Sequence, residues 1–222
     1  MKLPKYIIGI DEAGRGPLAG PVAVGVVLLK KNFNQKLLTG VTDSKKLSAA
    51  KREAIYLKAK QLKKEQQLDY EVTLVSAKVI DKKGIVPAIK KALEGGLKKL
   101  IKRHSLNEGS VMIKLDGGLK APKEFMYQQT IIKGDLKEYS IGLASILAKV
   151  TRDQYMEKIA GKGEFRAYDF AKHKGYGTRL HRAAIKKNCL SKEHRSTFCQ
   201  NAVKQSIFQP VNDTEITVPY LV

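Results

Sequence analysis

The sequence predicts an α/β protein, with a mixed β-sheet flanked by helices and a small C-terminal helical lobe. Apolar, β-branched runs cluster early in the chain and are typical of strands, at residues 6–10, 22–29 and 70–76. Two later runs, 111–115 and 127–132, alternate with helical patterns, and this order of elements indicates a mixed sheet. From Gly161 onward the chain is loop-rich and basic, which predicts the separate lobe.

The predicted helices follow from apolar spacing and from capping residues. Ser48 can cap a helix that runs to about Gln66. Residues 86–104 and 140–159 carry apolar side chains at helical spacing, and short helices are expected near 179–188 and 197–205. We expect a main domain over residues 1–160, the lobe over 161–205 and a tail of unknown role over 206–222.

The composition predicts a reduced, cytoplasmic monomer. The 222 residues suffice for one sizeable core, and they contain no run of about 18 apolar residues that could span a membrane. Cys189 and Cys199 are the only cysteines, and neither has zinc-site spacing. The first five residues enter a strand directly, which leaves no room for a signal peptide.

The charge balance favours nucleic acid as a partner. The chain has 42 Lys and Arg against 21 Asp and Glu, a net charge of +21. Part of this excess is ordinary lysine enrichment, since only 8 of the 42 basic residues are arginine. Where lysine is the default cation, a retained arginine suggests the need for a planar, bidentate donor. Arg15, Arg152, Arg179 and Arg195 all lie in or beside the motifs described below.

Two acids at the end of the first strand are the most informative feature. Asp11 and Glu12 close an apolar run and are followed by Gly14-Arg15-Gly16, whose main-chain N–H groups can approach a ligand closely. Because neighbours on a strand point to opposite faces, the two acids can serve one site only if the strand ends there. Buried acids of this kind need a cation or a donor to meet them.

Asp116 and Asp135 complete a set of candidate metal ligands. Asp116 closes the run 111–115, so adjacent strands could bring it to Asp11, and Asp135 follows 19 residues later. Clustered carboxylates are the ligands that Mg²⁺ prefers, although each of these two aspartates could simply form a turn. Asp153 is predicted to form an ordinary ion pair with Lys149, and Asp43 to organise its loop.

Six dispersed motifs, together with the opening segment, resemble the type 2 ribonucleases H (ribonuclease HII) over roughly residues 6–198. They occur in the order that family uses, and they are Asp43-Ser44-Lys45-Lys46-Leu47-Ser48, Asp116-Gly117-Gly118, Lys133-Gly134-Asp135, residues 144–153, His173-Lys174-Gly175-Tyr176-Gly177-Thr178 and Glu193-His194-Arg195-Ser196-Thr197-Phe198. Gly118 and Gly142-Leu143 depart from the usual pattern, without removing a candidate metal ligand. We expect Gly142 to loosen the first turn of its helix, at roughly 0.5–1 kcal/mol relative to alanine.

The resemblance implies a ribonuclease-H-like fold and a metal-dependent endonuclease. It implies Mg²⁺ or Mn²⁺ bound by catalytic residues Asp11, Glu12, Asp116 and Asp135, and cleavage of the RNA strand of RNA–DNA hybrids. It also implies cleavage on the 5′ side of ribonucleotides embedded in duplex DNA, a step of ribonucleotide excision repair, leaving 3′-hydroxyl and 5′-phosphate ends. The equivalent of Tyr176 packs against the sugar that follows the ribonucleotide in that family.

Further residues are candidates for substrate binding. Arg15 with the Gly14 and Gly16 amides could hold the nucleic-acid backbone. Ser145 and Lys149, four residues apart, could present a hydroxyl and an ammonium to phosphate from one helix face, and Lys45 and Lys46 could act likewise. The three C-terminal histidines have no metal-ligand spacing and are either backbone-bonded or phosphate-facing; they are His173, His181 and His194.

Other classes fit the residues less well. A dinucleotide-binding enzyme would need a third glycine after Gly14-x-Gly16, and a P-loop would end in Gly-Lys-Ser/Thr. A non-catalytic nucleic-acid-binding protein would explain the charge but not the four acids. The type 3 ribonuclease H shares the acids, but it usually carries an additional N-terminal domain. The peptide Gln205-Ser206-Ile207-Phe208 faintly resembles sliding-clamp ligands, although such short peptides arise by chance.

Overall fold

The computed structural model describes residues 4–42 and 44–204, with side chains described through residue 200. Asp43, the tail from residue 206 and the clamp-like peptide at 205–208 therefore lie outside the described residues. Within the described part of the chain, no helix is long and apolar enough to cross a membrane.

Five strands form one mixed sheet in the order β3-β2-β1-β4-β5. β1 pairs antiparallel with β2 and parallel with β4, while β2–β3 is antiparallel and β4–β5 is parallel. The predicted mixed sheet is confirmed. The strands are β1 (Tyr6–Ala13), β2 (Val22–Lys30), β3 (Asp69–Val75), β4 (Val111–Asp116) and β5 (Gln128–Ile131).

Eight α-helices accompany the sheet in the described residues. They are α1 (Ala49–Lys64), α2 (Ala77–Lys83), α3 (Ile85–Arg103), α4 (Gly134–Lys137), α5 (Tyr139–Ala160), α6 (Phe170–His173), α7 (Arg179–Asn188) and α8 (Ser196–Lys204). The predicted cap of α1 is confirmed, since the Ser48 hydroxyl accepts the Lys51 N–H at 3.3 Å. The short helices α2, α4 and α6 were not predicted, because four to seven residues are too few to show a helical period.

The sheet is covered on both faces, as β-strand alternation requires. On one face, Ile8, Ile10 and Val24 pack with Leu93 and Leu97 of α3. On the other face lie α1 and α5, where Val27 and Leu29 of β2 join a second apolar cluster. Gly9 and Gly25 face α5, and a Cβ at either position would collide with the α5 backbone at Ser140 or Ala144. These two glycines let α5 lie directly against β1 and β2.

The C-terminal lobe packs on the end of α5 and on the β1–β2 loop. Phe165 and Phe170 are buried against Met156 of α5. Main-chain bonds tie the lobe to the loop: the Leu18 N–H donates to the Gly175 carbonyl at 2.9 Å, and Gly20 donates to Glu193 at 2.8 Å. The lobe therefore holds the loop that follows Asp11 and Glu12.

Candidate active site

The sequence analysis expected the first strand to end at its two acids. The structure shows instead that the strand runs past them. β1 continues to Ala13 because β2 keeps pairing with it, with Asp11 opposite Gly25 and Glu12 opposite Val24. Ending the strand at Asp11 would leave these main-chain groups without their ladder partners. Asp11, like Gly9, points towards α5 and is 5% exposed, whereas Glu12 points to the opposite face.

Asp116 comes level with Asp11 on the neighbouring parallel strand. The β1–β4 register pairs Ile10 with Leu115, so the next residue of each strand is an aspartate. One carboxylate oxygen of Asp116, Oδ1, accepts the Gly134 N–H at 2.6 Å, which fixes the turn that carries Asp135 on α4. Asp11 and Asp116 thus lie level on adjacent strands, Glu12 follows Asp11 on β1, and Asp135 follows the glycine whose N–H bonds to Asp116.

Gly142 explains how Asp135 reaches this position. A Cβ at residue 142 would lie 2.9 Å from the Asp135 carbonyl oxygen and 3.3 Å from Cγ1 of Val41. The backbone of α4 therefore rests on α5 at a point where no side chain fits. The expectation that this glycine merely loosens the helix missed its packing role, since Gly142 is buried inside a continuous α5.

Burial disfavours the charged forms of the two acids on β1. Burial raises the pKa of Asp11 to about 8, with further contributions from the charges of Glu12 and Asp116, while a hydrogen bond from Ser145 opposes the shift. Burial also raises the pKa of Glu12, and Arg15 opposes it from 3.2 Å. The pKa of Asp11 is thus raised by burial and by neighbouring acids, and hydrogen bonds rather than a cation oppose the shift.

The donor set fits hard divalent cations. All four candidate ligands offer carboxylate oxygens, which are the donors that Mg²⁺ and Mn²⁺ prefer. A bound cation would supply the positive charge that stabilises an ionised Asp11. In residues 4–42 and 44–204, no three His, Cys, Asp or Glu side chains approach closely enough to form a preassembled metal cage.

Two buried arginines, Arg152 and Arg195, bind main-chain carbonyls of the glycine-rich loop between β1 and β2. Arg195 donates to the carbonyls of Gly14 at 2.7 Å, Arg15 at 3.0 Å and Gly20 at 2.9 Å. Arg152 donates to Pro21 at 2.9 Å and to Ala19 at 3.1 Å. Both side chains are fully buried. The prediction that retained arginines act as planar, multiple donors is confirmed for this pair, but their acceptors are main-chain carbonyls.

The support from the arginines leaves Arg15 free to face outward. Gly14 has a φ of +88°, which glycine adopts without strain, and the turn exposes the Arg15 side chain to 54%. The Arg15 guanidinium forms an ion pair with the Glu12 carboxylate at 3.2 Å. A cationic group thus stands at the edge of the acidic site.

The candidate substrate-binding residues of the 144–153 motif lie in two environments. Ser145 is 5% exposed, and its hydroxyl lies 2.9 Å from that of Ser44 and bonds to Asp11. Lys149 is nearer the surface and forms the predicted ion pair with Asp153, at 2.8 Å. On α5, the Ser145 hydroxyl thus bonds to Asp11 and the Lys149 ammonium to Asp153. Lys45 and Lys46 are exposed on the loop before α1.

Tyr176 extends from the C-terminal lobe towards solvent. Its side chain is 42% exposed, and the Lys149 ammonium and the Arg152 guanidinium lie 5.4 and 5.6 Å from the ring centroid. The alternatives left open for the three histidines are resolved: all three are buried and bonded to backbone groups of this lobe.

A family model described as Ribonuclease HII matches residues 8–201. The chain belongs to the ribonuclease HII family. It is 40% identical to the ribonuclease HII of Caldicellulosiruptor bescii, over 89% of this chain and 88% of that protein. Ribonuclease HII of Endomicrobium trichonymphae is 41% identical, over 93% and 87% of the two chains. Membership makes the chain a ribonuclease H endonuclease, hence a hydrolase, of a family that depends on divalent metal.

Solved structures share the fold. Ribonuclease H2 from Pyrococcus horikoshii is similar with a TM-score of 0.67 and 25% identity, over 92% of this chain and 100% of that one. The Archaeoglobus fulgidus ribonuclease HII, solved in complex with PCNA, also gives 0.67, at 24% identity and over 94% and 100%. Bst ribonuclease HIII with Mn²⁺ gives 0.67 at 18% identity, over 93% and 70%. Fold alone therefore does not separate ribonuclease HII from HIII, and the family model does.

Sequence reasoning missed the supporting residues of the site. It predicted the four acids and the glycine-rich loop, but not the loop's attachment to Arg152 and Arg195. The scarcity of arginine was the available signal, and it could not indicate the acceptors because these lie more than 130 residues away in the chain.

Proposed function

We propose that this chain hydrolyses the RNA strand of RNA–DNA hybrids and cuts duplex DNA on the 5′ side of embedded ribonucleotides, leaving 3′-hydroxyl and 5′-phosphate ends. The observation that carries the proposal is the level placement of Asp11 and Asp116 on parallel strands, beside the loop that exposes Arg15. The arrangement supports the proposal because carboxylates bind divalent cations, and an exposed guanidinium beside them can bind phosphate.

Asp11, Glu12, Asp116 and Asp135 hold the divalent cations in this proposal. The carboxylate oxygens suit both Mg²⁺ and Mn²⁺. The related Bst ribonuclease HIII was solved with Mn²⁺. When bound, such ions neutralise phosphate charge and lower the pKa of water, so that hydroxide becomes available near neutral pH. The Ser145 hydroxyl bonds to Asp11 and keeps that carboxylate oriented from the α5 side.

The glycine-rich loop and the exposed basic residues hold the nucleic acid. Arg15 and the amides of Gly14 and Gly16 contact the phosphates beside the cleaved bond, and the two buried arginines keep the loop in place while Arg15 binds. Lys149, Lys45 and Lys46 contribute positive charge along the same path, which neutralises phosphates without reading sequence.

Tyr176 distinguishes the ribonucleotide junction. The ring is exposed on one side and backed by two cations on the other, which holds it ready to pack against a sugar. Contact of this kind senses the 2′-hydroxyl, the group that separates RNA from DNA. The lobe over residues 161–205 serves to carry this tyrosine and to clamp the loop of the catalytic domain over residues 1–160.

The sliding-clamp hypothesis concerns residues 205–208, outside the described residues. It gains support from the Archaeoglobus fulgidus ribonuclease HII, which was solved in complex with PCNA. Deleting residues 205–222 tests it by measuring whether clamp-stimulated cleavage disappears while unstimulated cleavage stays.

Cleavage of duplex DNA that contains one ribonucleotide tests the main proposal. We expect a single cut on the 5′ side of the ribonucleotide with Mg²⁺ or Mn²⁺, none with chelator, and none in the all-DNA duplex. Asp11→Asn should abolish the cut, whereas Glu108→Gln, at an exposed acid before β4, should not. Cleavage in chelator would contradict the metal dependence, and products with a 2′,3′-cyclic phosphate would mean that the 2′-hydroxyl attacks; either result would overturn the proposal.

A further inference from the structure

Three buried histidine rings form a hydrogen-bonded cluster directly behind Tyr176. His173 and His181 stack with centroids 4.2 Å apart, and His181 Nε2 lies 3.0 Å from His194 Nε2. The rings are 9%, 0% and 4% exposed. Phe170 packs against all three at centroid distances of 5.5–6.0 Å, which removes them from water. This histidine cluster has no part in the chemistry proposed above.

The partners of each ring fix where its proton lies. Nδ1 of His181 faces the Tyr176 carbonyl at 2.9 Å, and since a carbonyl only accepts, Nδ1 carries the proton and Nε2 is bare. His194 Nε2 must then donate to His181 Nε2. His194 Nδ1 is the bare nitrogen, because it accepts the Ser191 N–H at 2.9 Å. The hydrogen bonds therefore run in one direction, from Ser191 through His194 and His181 to the Tyr176 carbonyl.

The third histidine, His173, bonds to the N–H of Tyr176 through its main chain. His173 donates from Nε2 to the Tyr168 carbonyl at 2.6 Å and accepts the Gly175 N–H on Nδ1 at 3.2 Å. Its own carbonyl accepts the Tyr176 N–H at 2.9 Å. Both main-chain polar groups of Tyr176 are thus bonded to histidines, one to a side chain and one to a backbone, and the Tyr176 carbonyl also accepts the Thr178 N–H at 2.8 Å.

The surroundings of His181 and His194 keep these two rings neutral near pH 7. Burial lowers the pKa of His181 to about 4, and neighbouring His173 and Arg182 add to the effect. Burial also lowers the pKa of His194 to about 4, with His181 next in importance. Arg182 faces the cluster from α7, Tyr168 from the turn before α6, and Glu193 lies beside His194 with its carboxylate on the Tyr155 hydroxyl. A proton added to His181 Nε2 or to His194 Nδ1 would break the series of hydrogen bonds, because each of these nitrogens accepts a bond in it.

We propose that His181 and His194 are positioning residues that fix the backbone of Tyr176, and that this fixes the ring with which the enzyme selects embedded ribonucleotides. The inference rests on the role proposed above for Tyr176. A misplacement of about 1 Å in such a contact can cost on the order of 10²-fold in rate, which is the scale of the expected effect.

A pair of amide substitutions tests the bond to Tyr176 with little change in polarity. In His181→Asn the amide nitrogen can take the place of Nδ1 and keep the bond to the carbonyl, whereas in His181→Gln it takes the place of Nε2 and the bond is lost. We expect His181→Gln to lower kcat at a single embedded ribonucleotide by tenfold or more with KM changed less than about threefold. His181→Asn should recover most of this loss, and His104→Gln, at the histidine outside the cluster, should have no effect.

Amide hydrogen exchange at Tyr176 separates this inference from the proposed function. Positioning requires faster exchange of that amide in His181→Gln and near-wild-type exchange in His181→Asn. In a Tyr176→Ala background, His181→Gln should cost less than about twofold more in selectivity, because both changes act through one ring. Unchanged exchange of the Tyr176 amide in His181→Gln would overturn the positioning role. So would a double variant whose loss of selectivity is the product of the two single losses. Faster exchange with full selectivity in Tyr176→Ala would instead overturn the role of Tyr176 and with it the effect on specificity.

Discussion

Asp11 carries a buried carboxyl group whose pKa is raised to about 8. Between an unfolded value of 3.8 and this folded value, the native state binds more protons than the unfolded state, so stability falls as pH rises. We predict that Asp11→Asn, without metal, raises the melting temperature at pH 8–9 and changes it little near pH 4. The amide oxygen can still accept the Glu12 N–H, which now bonds to Asp11 at 2.7 Å.

Divalent metal should reverse this order of stability. Mg²⁺ or Mn²⁺ should raise the melting temperature of the wild type more than that of Asp11→Asn, because stabilisation by a ligand of the native state grows with the logarithm of its concentration divided by Kd. Thermal unfolding in chelator and in metal, at pH 4, 6 and 9, measures both effects. A melting temperature that falls in Asp11→Asn at pH 9 without metal would contradict the electrostatic account of this residue.

Tyr176 tests whether recognition and chemistry reside on different residues. Tyr176→Ala removes the ring but no candidate metal ligand, so we predict a large loss of cleavage at a single embedded ribonucleotide and little loss of affinity for duplex DNA. Activity on a long RNA–DNA hybrid is the internal control, and Tyr176→Phe keeps the ring and most of the activity. Equal losses on both substrates with a lowered melting temperature would identify Tyr176 as a packing residue.

At the scale of elements, the contact between α4 and α5 sets the position of Asp135. A Cβ at residue 142 would lie 2.9 Å from the Asp135 carbonyl oxygen, so the α4 backbone has to move when Gly142 is replaced. We predict that Gly142→Ala lowers the cleavage rate by about tenfold or more, because displacements of about 1 Å are costly in catalysis. Single-turnover rates in Mg²⁺ and Mn²⁺ measure this effect.

Gly95 provides the matched control within a helix. A Cβ at this position in α3 meets no atom within 4 Å, so Gly95→Ala should stabilise the protein by about 0.5–1 kcal/mol and leave cleavage unchanged. If Gly142→Ala behaved in the same way as Gly95→Ala, the α4–α5 contact would not control the site.

The elements that could be predicted are those with a long local period. The sequence-based bounds of α3, α5 and α7 agree with the structure to within one residue. The end of β1 was predicted wrongly because pairing with β2 carries the strand through Asp11 and Glu12, and local sequence does not encode that partner. The same limit applies to Gly142, whose role depends on its packing against the Asp135 carbonyl of α4 and against Val41.

The candidate acids could be predicted from their positions at strand ends, whereas their supports could not. Arg195 reaches the loop from 175 residues away, and the histidine cluster joins positions on α6, α7 and the segment before α8. These contacts are tertiary, and a sequence pattern reports only the residue types that are available for them.

At the scale of the whole molecule, a net charge of +21 dominates encounter with nucleic acid. Binding should weaken steeply as salt rises, with a slope set by the number of phosphates neutralised. We predict that Lys149→Ala flattens this slope by about one contact without changing the cleavage position. Lys91→Ala, an exposed change on α3 across the sheet from α5, is the control. An unchanged slope in Lys149→Ala would leave Lys149 solely as the partner of Asp153.

The account as a whole assigns binding to the basic surface and chemistry to the acids. Asp116→Asn separates the two, since it keeps an oxygen that can accept the Gly134 N–H while it removes the charge. The most direct measurement is single-turnover cleavage of a duplex with one ribonucleotide by wild type and Asp116→Asn in Mg²⁺, at enzyme concentrations that saturate the binding measured for each. We predict equal affinity within about threefold and a cleavage rate at least about 10³-fold lower for the variant. Cleavage by Asp116→Asn at near-wild-type rate would contradict the assignment of the acids to metal-assisted hydrolysis.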